Sequence, residues 1–267
     1  MGQVSSQDVK KLREQTGAGM MDCKKALAEA DGDMEQALTY LRKAGIAKAE
    51  KKAGRATNEG VVYSLVDGQV GTLIEVLCES DFVAKNEKFT SFVTEAAQRA
   101  ITDFSHDGDI SETIARAESD NLTEMIGALG ENMYMRRAVR WETKGRLKGY
   151  MHMGGKIGVL VDVEGDTDAE TLKDISMHIA AFKPEFVSPD DIPEERIEKE
   201  KEIAAAQVSD KPAHIIDNIV NGKMQKWYSE VCLTKQPWLR DEKSCLEDVA
   251  PQARVQRFLR WEAGEEL

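Results

Sequence analysis

Apolar positions recur at helical spacing through the first forty residues, and the period then shortens to that of strands. Ser5 precedes a stretch carrying Val9 and Leu12, with Asp8 placed to complement the positive end of a helix. Thr16-Gly17-Ala18-Gly19 breaks that helix, and Met20, Lys24, Leu27 and Ala28 fall at the spacing of a second. Asp31-Gly32 is a turn signal. Asp33 with Gln36 three residues on resembles a capping box, and Met34, Ala37, Leu38 and Leu41 supply the stripe of a third helix. The spacing predicts a three-helix unit over residues 1–45, small enough to be only marginally stable alone. Large apolar residues then thin out, and Lys43, Lys48, Lys51, Lys52 and Arg55 are interleaved with alanine. Residues 46–58 read as a solvated, partly helical basic linker, with an RNA contact as the alternative.

Residues 61–66 and 70–77 flank Asp67-Gly68, a strong hairpin signal. Helices are expected over 87–104 and 111–127, and a strand over 133–142. Residues 147–153 and 157–163 pair across Gly154-Gly155, and a helix over 168–182 puts Ile175, Ile179 and Phe182 on one face. A hairpin followed by a helix thus occurs twice, which predicts two related halves, 59–143 and 144–186 with 229–267. Their sequence similarity is too weak to read as a repeat. Lys183-Pro184 ends the last helix. Residues 187–228 follow as an insertion: a charged helix over 193–208 with Ile197, Ala204 and Val208, a turn at Ser209-Asp210-Lys211-Pro212, and a stripe of Ile215, Ile216, Ile219, Val220 and Met224. This is a protruding, coiled-coil-like antiparallel helical hairpin. A strand over 255–262 closes the chain. The fold class is α+β, with antiparallel sheets.

Composition narrows the function. The 267 residues carry 36 basic and 48 acidic side chains, a net charge of −12. That balance argues against general nucleic-acid binding and against an anionic membrane surface as partner. No apolar run approaches the roughly 20 residues of a membrane span, and the first fifteen residues lack the apolar segment of a signal peptide. Met1-Gly2-Gln3-Val4-Ser5-Ser6 fits an acylation pattern, but one acyl chain without a basic patch anchors poorly. Cys23, Cys78, Cys232 and Cys245 lie far apart with no C-x-x-C pair, as expected of reduced thiols in a cytoplasmic protein.

Catalytic chemistry is hard to find. His106, His152, His178 and His214 are scattered, and none sits at metal-ligand spacing. The stretch Gly149-Tyr150-Met151-His152-Met153-Gly154-Gly155-Lys156-Ile157 only approaches a P-loop: the lysine is one residue late, and Ile157 stands where a Ser or Thr should hold Mg²⁺. Gly17-Ala18-Gly19 lacks the third glycine and preceding strand of a dinucleotide fingerprint. No catalytic residue, cofactor or metal ligand is expected. The unusual segment is Cys78-Glu79-Ser80-Asp81-Phe82-Val83-Ala84-Lys85-Asn86-Glu87, which follows a strand and opens a helix. Ser80 or Asp81 can cap that helix. Phe82 and Val83 either staple into their own core or form an exposed acid-plus-aromatic wedge of the kind that anchors protein interfaces.

The chain resembles the bacterial elongation factor Ts family. The resemblance rests on Val9-Lys10-Lys11-Leu12-Arg13-Glu14-Gln15-Thr16-Gly17-Ala18-Gly19-Met20-Met21-Asp22-Cys23-Lys24-Lys25-Ala26-Leu27 and on Ser80-Asp81-Phe82-Val83-Ala84-Lys85-Asn86. Gly130-Glu131-Asn132 ahead of Arg136-Arg137, Ile157-Gly158-Val159-Leu160-Val161 and Lys183-Pro184-Glu185-Phe186 add to it. It implies a ubiquitin-associated-like N-terminal domain, and a cytoplasmic exchange factor that promotes GDP release from elongation factor Tu without bond-making chemistry. By the same resemblance, Ser80, Asp81, Phe82 and Val83 disturb the Mg²⁺ and phosphate site of that partner. Arg13, Met20 and Met21 touch its GTPase-domain helix, Leu129 and Gly130 lie beside the Asp-Phe site, and His152 faces its later domains. One of Met20 and Met21 is expected buried and the other exposed. Longer members add a C-terminal helix contact that a chain ending at Leu267 would lack. The helical hairpin pairs two copies or touches the partner. The alternative reading is a non-catalytic helical adaptor for a peptide or ubiquitin-like partner.

Overall fold

The computed structural model describes residues 4–208 and 212–267, without the side chains of residues 213 and 214. The start of the acylation pattern and the turn at Ser209, Asp210 and Lys211 lie outside the described residues. Helices α1 (Ser6–Thr16), α2 (Met20–Glu29) and α3 (Met34–Lys52) open the chain. Ser5 caps α1 by accepting the Asp8 N–H, Gly17 ends it at φ 67°, and Asp33 caps α3 by accepting the Gln36 N–H. Their shared core is Val9, Leu12, Cys23, Ala26, Leu27, Ala30 and Ala37. The second helix forms as the spacing predicts, and of the residues that marked it Leu27 is buried, beside Cys23 and Ala26. Both methionines are exposed, Met20 at 57% and Met21 at 73%, which corrects the expectation that one is buried. They occupy the first turn of α2, ahead of the residues that pack. Helix α3 also runs unbroken to Lys52, through much of the stretch read as a linker.

The first half comprises β1 (Glu59–Asp67), β2 (Val70–Cys78), the one-turn α4 (Asp81–Ala84), α5 (Glu87–Thr102), β3 (Gly108–Asp109), α6 (Ser111–Ala117), α7 (Ser119–Leu129) and β4 (Met133–Glu142). The single helix expected over 111–127 is thus two, broken at Glu118, whose carboxylate is gripped by Arg99 at 2.5 and 2.8 Å. The antiparallel sheet has the order β1-β2-β4-β3. The second half holds β5 (Arg146–His152), β6 (Ile157–Glu164), α8 (Ala169–Phe182), α9 (Glu194–Ala206), α10 (Ala213–Val231), α11 (Leu246–Val249) and β7 (Arg254–Glu262), with sheet order β5-β6-β7. Helices α9 and α10 form the helical hairpin, with Ile192, Val231 and Cys232 buried at its base.

The two sheets pack face to face through Val62, Leu73, Leu77, Trp141, Leu147, Leu160 and Trp261. Their opposite faces are covered by helices: Ile74, Val76 and Cys78 pack under α5, and Val159, Val161 and Val163 under α8. Burial on both faces explains why β2 and β6 read as continuous apolar runs. The packing is reciprocal. A side-chain carbon on Gly71 would meet Leu160, and one on Gly158 would meet Leu73. Trp141 lies opposite Gly71 in the register, and Trp261 opposite Gly158.

This symmetry extends to charge. Strand β4 contains Arg137-Ala138-Val139-Arg140-Trp141-Glu142, and β7 contains Arg257-Phe258-Leu259-Arg260-Trp261-Glu262. Arg137 pairs with buried Glu75 of its own sheet at 2.5 Å and lies 4.4 Å over the Trp261 ring of the other. Arg257 pairs with buried Asp162 of its own sheet at 3.2 Å and lies 4.4 Å over Trp141. Both acids stand directly before a register shift, between Glu75 and Val76 and between Asp162 and Val163. The halves are an internal repeat at the level of these residues.

All four cysteines are free, three of them buried and Cys245 half-buried. His178 is buried, stacked between Phe182 and Trp238 with centroids 4.6 and 5.0 Å away. Gln236 donates to the carbonyls of Phe182 and Glu230, so its Oε1 faces the imidazole and accepts from Nε2 at 3.0 Å. Nδ1 has no hydrogen-bond partner among the described residues. Burial lowers the His178 pKa from its ordinary 6.5.

Two outcomes test this frame. Arg137→Met removes the 2.5 Å partner of buried Glu75, which keeps Arg136 at 3.2 Å, and lowers the unfolding free energy by about 2 kcal/mol, measured by urea denaturation. His178 binds its proton more readily unfolded than folded. The stability it contributes is full above pH 6.5 and is lost as pH falls toward the depressed folded-state value. The slope of stability against pH in that window flattens in His178→Phe.

Candidate functional site

Strand β2 delivers the chain to the segment singled out in the sequence. Ser80 is extended (φ −126°, ψ 155°), and its hydroxyl accepts the Val83 N–H at 3.3 Å, capping the single turn of α4. Asn86 ends that turn and caps α5 by accepting the Lys88 N–H at 2.9 Å. The turn splits its two apolar residues. Val83 is 8% exposed and joins the core with Cys78, Phe89 and Phe92, whereas Phe82 is 83% exposed. The staple reading therefore holds for Val83 and fails for Phe82, because one turn of helix directs adjacent side chains to different sides.

Asp81 lies beside Phe82 and receives the Lys85 ammonium at 2.7 Å. This hydrogen bond holds the Asp81 carboxyl below its ordinary range and raises Lys85. Under the turn, burial pushes the Cys78 thiol up to about 12. It donates to the Ser80 carbonyl at 3.2 Å and remains a neutral packing group.

The loop after α7 braces the turn. Leu129 is half-buried against the core, and Gly130 ends α7 at φ 79°. The next two residues engage the wedge segment directly: Glu131 accepts from Ser80, and the Asn132 N–H donates to Glu79 at 2.6 Å. That bond, together with Arg55, holds the Glu79 carboxyl low. Leu129 and Gly130 are thus brought to the same place as Ser80, Asp81, Phe82 and Val83. Glu79, Glu131, Asn132, Lys85 and Arg55 are the supporting residues that sequence reasoning did not assign. Gly130-Glu131-Asn132 had been noticed only as a motif.

The remaining candidates sit on neighbouring elements. Arg13 is exposed in the last turn of α1, and Met20 and Met21 open α2. The intervening turn is tied to the start of α5 by Lys88, whose ammonium reaches the Gly17 carbonyl at 3.4 Å. His152 is exposed at the end of β5, with Nδ1 3.0 Å from the Tyr150 hydroxyl. It borders a tight turn in which Met153 takes φ 51° and exposes most of its side chain. Lys156 in that turn pairs with Glu59 at 3.3 Å, and Glu59 lies opposite Cys78 in the register. The His152 turn and the Phe82 turn thus stand at the same end of the stacked sheets. Among the described residues no group of acids, histidines and cysteines could hold a metal ion, and no helix is long and apolar enough to cross a membrane.

These features define an α+β scaffold whose distinctive surface is an exposed acid–aromatic pair on a braced turn. The family described as Elongation factor TS matches residues 79–265, starting at that turn. Similar proteins named Elongation factor Ts include that of Halothermothrix orenii, 47% identical over 98% of this chain and 93% of its own length. That of Aquifex aeolicus is 42% identical over 98% of both chains, and that of Hydrogenovibrio crunogenus 44% identical over 98% and 92%. The chain belongs to the elongation factor Ts family of translation elongation factors.

The division between Phe82 and Val83 has a direct consequence for stability. Val83→Ala costs about 2 kcal/mol through lost burial, whereas Phe82→Ala stays within about 0.5 kcal/mol of the parent protein. Thermal melts of the two variants check the difference.

Proposed function

We propose that this factor associates with GDP-bound elongation factor Tu and promotes GDP release by inserting Asp81 and Phe82 beside the partner's Mg²⁺ and phosphate site. The observation that carries this reading is the exposure of Phe82 on a turn whose next two residues, Val83 and Ala84, are buried. A large aromatic held in water at a fixed place gains little for its own fold and much from a pocket on a partner. Asp81 fits the same role. Its pairing with Lys85 is largely exposed and screened by water, so the carboxylate can change partners at small cost.

The exchange is a matter of linked binding. Factor and GDP oppose each other on the GTPase, and the antagonism is reciprocal. Each 1.4 kcal/mol of coupling changes the affinity by a factor of about ten. Displacing the groups that hold Mg²⁺ removes the largest positive charge beside the diphosphate, and GDP then leaves faster. GTP loads into the vacated site. No proton transfer or covalent step by this chain is required. Arg13, Met20 and Met21 on the N-terminal helices, which we take to be ubiquitin-associated-like, would meet the GTPase domain. Leu129 and Gly130 would support the wedge contact, and His152 would meet the partner's later domains.

Release of fluorescent GDP from elongation factor Tu tests the proposal. The native chain is expected to accelerate it strongly, and the folded Asp81→Ala/Phe82→Ala variant to lose that acceleration. Acceleration retained by the double variant would move the mechanism to other contacts. No acceleration by the native chain would favour an adaptor.

A further inference from the structure

The turn that carries Asp81 and Phe82 cannot hold its own shape. It is a four-residue helix closed only by short-range backbone bonds, among them Ala84 N–H to the Ser80 carbonyl at 3.1 Å and Lys85 N–H to the Asp81 carbonyl at 3.2 Å, and so short a helix is marginal by itself. Val83 and Ala84 anchor its inner side in the core, and an exchange of carboxylates with the loop after α7 holds its entry. Glu79, at the end of β2, accepts the Asn132 N–H at 2.6 Å. In return Glu131 accepts the Ser80 N–H at 2.9 Å and the Ser80 hydroxyl at 2.6 Å. Hydrogen bonds to an ionised acceptor are stronger than neutral ones. The second of these bonds also orients the oxygen that caps α4, because the Ser80 hydroxyl donates to Glu131 while accepting from Val83.

The loop is anchored in turn by the end of α3. The Lys52 ammonium donates to the Gly130 carbonyl, and the Asn132 side chain donates to the Arg55 carbonyl at 2.9 Å. Residues 130–132 are therefore a junction between the N-terminal helices and the wedge. Glu131 is the member of that junction that grips the wedge turn from outside.

We infer that Glu131 is the positioning residue of nucleotide exchange, holding the Asp81-Phe82 turn in the orientation that intrudes on the partner without touching the partner itself. This rests on the function proposed above. A turn already in its bound shape avoids the ordering cost on association. A loosened turn still docks through the other contacts but delivers Phe82 to the wrong place.

The experiment is GDP release from elongation factor Tu over a range of factor concentrations, for the native chain and for Glu131→Ala, Glu131→Gln, Phe82→Ala and Glu131→Ala/Phe82→Ala. A large drop in the maximal rate of Phe82→Ala, to a level still measurable above spontaneous release, checks the parent reading independently of Glu131. Glu131→Ala is expected to lower the maximal rate by roughly ten- to a hundredfold, the scale of a misplaced contact, with the half-saturating concentration nearly unchanged. Glu131→Gln recovers part of the rate, since its amide oxygen can still accept the Ser80 N–H. In the Phe82→Ala background the Glu131 change has no further effect, because both act through one element. A full maximal rate in Glu131→Ala, or a loss that multiplies with that of Phe82→Ala, overturns the inference while leaving the parent reading intact. If circular dichroism shows Glu131→Ala unfolded, Glu131→Gln and Ser80→Ala decide by the same split between maximal rate and half-saturation.

Discussion

Two arginines hold the molecule together, each gripped by a carboxylate of its own sheet and laid on a tryptophan of the other. Glu75 and Asp162 are buried acids between the sheets, where an unpaired charge would be severely destabilising. Arg137 neutralises Glu75 together with Arg136 at 3.2 Å, and Arg257 neutralises Asp162. The Arg137 and Arg257 guanidinium planes then stack on Trp261 and Trp141, which contributes about 1–2 kcal/mol when desolvated. Each carboxylate is met within its own sheet, but the stacking on tryptophan, the Gly264 N–H to Glu75 and the Arg257 pair with Asp107 form only when the two halves are in contact. The clamp therefore specifies how the halves face each other, which apolar packing through Leu73 and Leu160 would leave less well defined.

The site inherits its rigidity from that frame. Strand β2 is the central element: it pairs with β1 and β4, carries Glu75, and ends at Cys78 immediately before the wedge. Fixing β2 against β4 also fixes the loop that leads into β4. That loop and the end of β2 exchange their carboxylates only because Cys78 lies opposite Met133 in the register. On the other side Glu59, opposite Cys78, reaches Lys156 in the turn beyond His152. A one-residue slip of β2 would exchange its two buried faces, carry Glu75 to the side covered by α5 and separate every one of these contacts.

Local signals made much of this legible in the sequence. Asp67-Gly68 and Gly154-Gly155 marked both hairpins, and caps at Ser5, Asp33 and Ser80 marked helix starts, because each depends on neighbours within a few residues. What could not be read depends on pairs distant in sequence. Glu131 and Ser80 are 51 residues apart, and Glu79 and Asn132 are 53 apart. The internal repeat was missed for a related reason. Its shared residues are arginine, tryptophan and acid on strands, which an apolar pattern ignores, and the helical hairpin separates them unequally. Met20 and Met21 were misjudged because helical spacing was extended into the first turn of α2, where no facing element covers them. The exposure of Phe82 lay at the limit of what local patterning can decide, since a staple and a wedge have the same sequence. The family resemblance, and not the residues, favoured the wedge.

The arrangement separates what must be rigid from what must be free. The backbone of the wedge turn is held by charge-assisted bonds that are partly buried. The two side chains it presents are held by almost nothing: Phe82 by no core contact, and Asp81 by one exposed ammonium. The proposed displacement of groups in a partner depends on this division. Binding energy spent on ordering the turn would be unavailable for opposing GDP, and binding energy already spent on burying Phe82 at home would have to be recovered before it could intrude. The exposed aromatic is therefore stable only as part of a frame strong enough to carry it, and the paired sheets with their arginine clamps supply that frame.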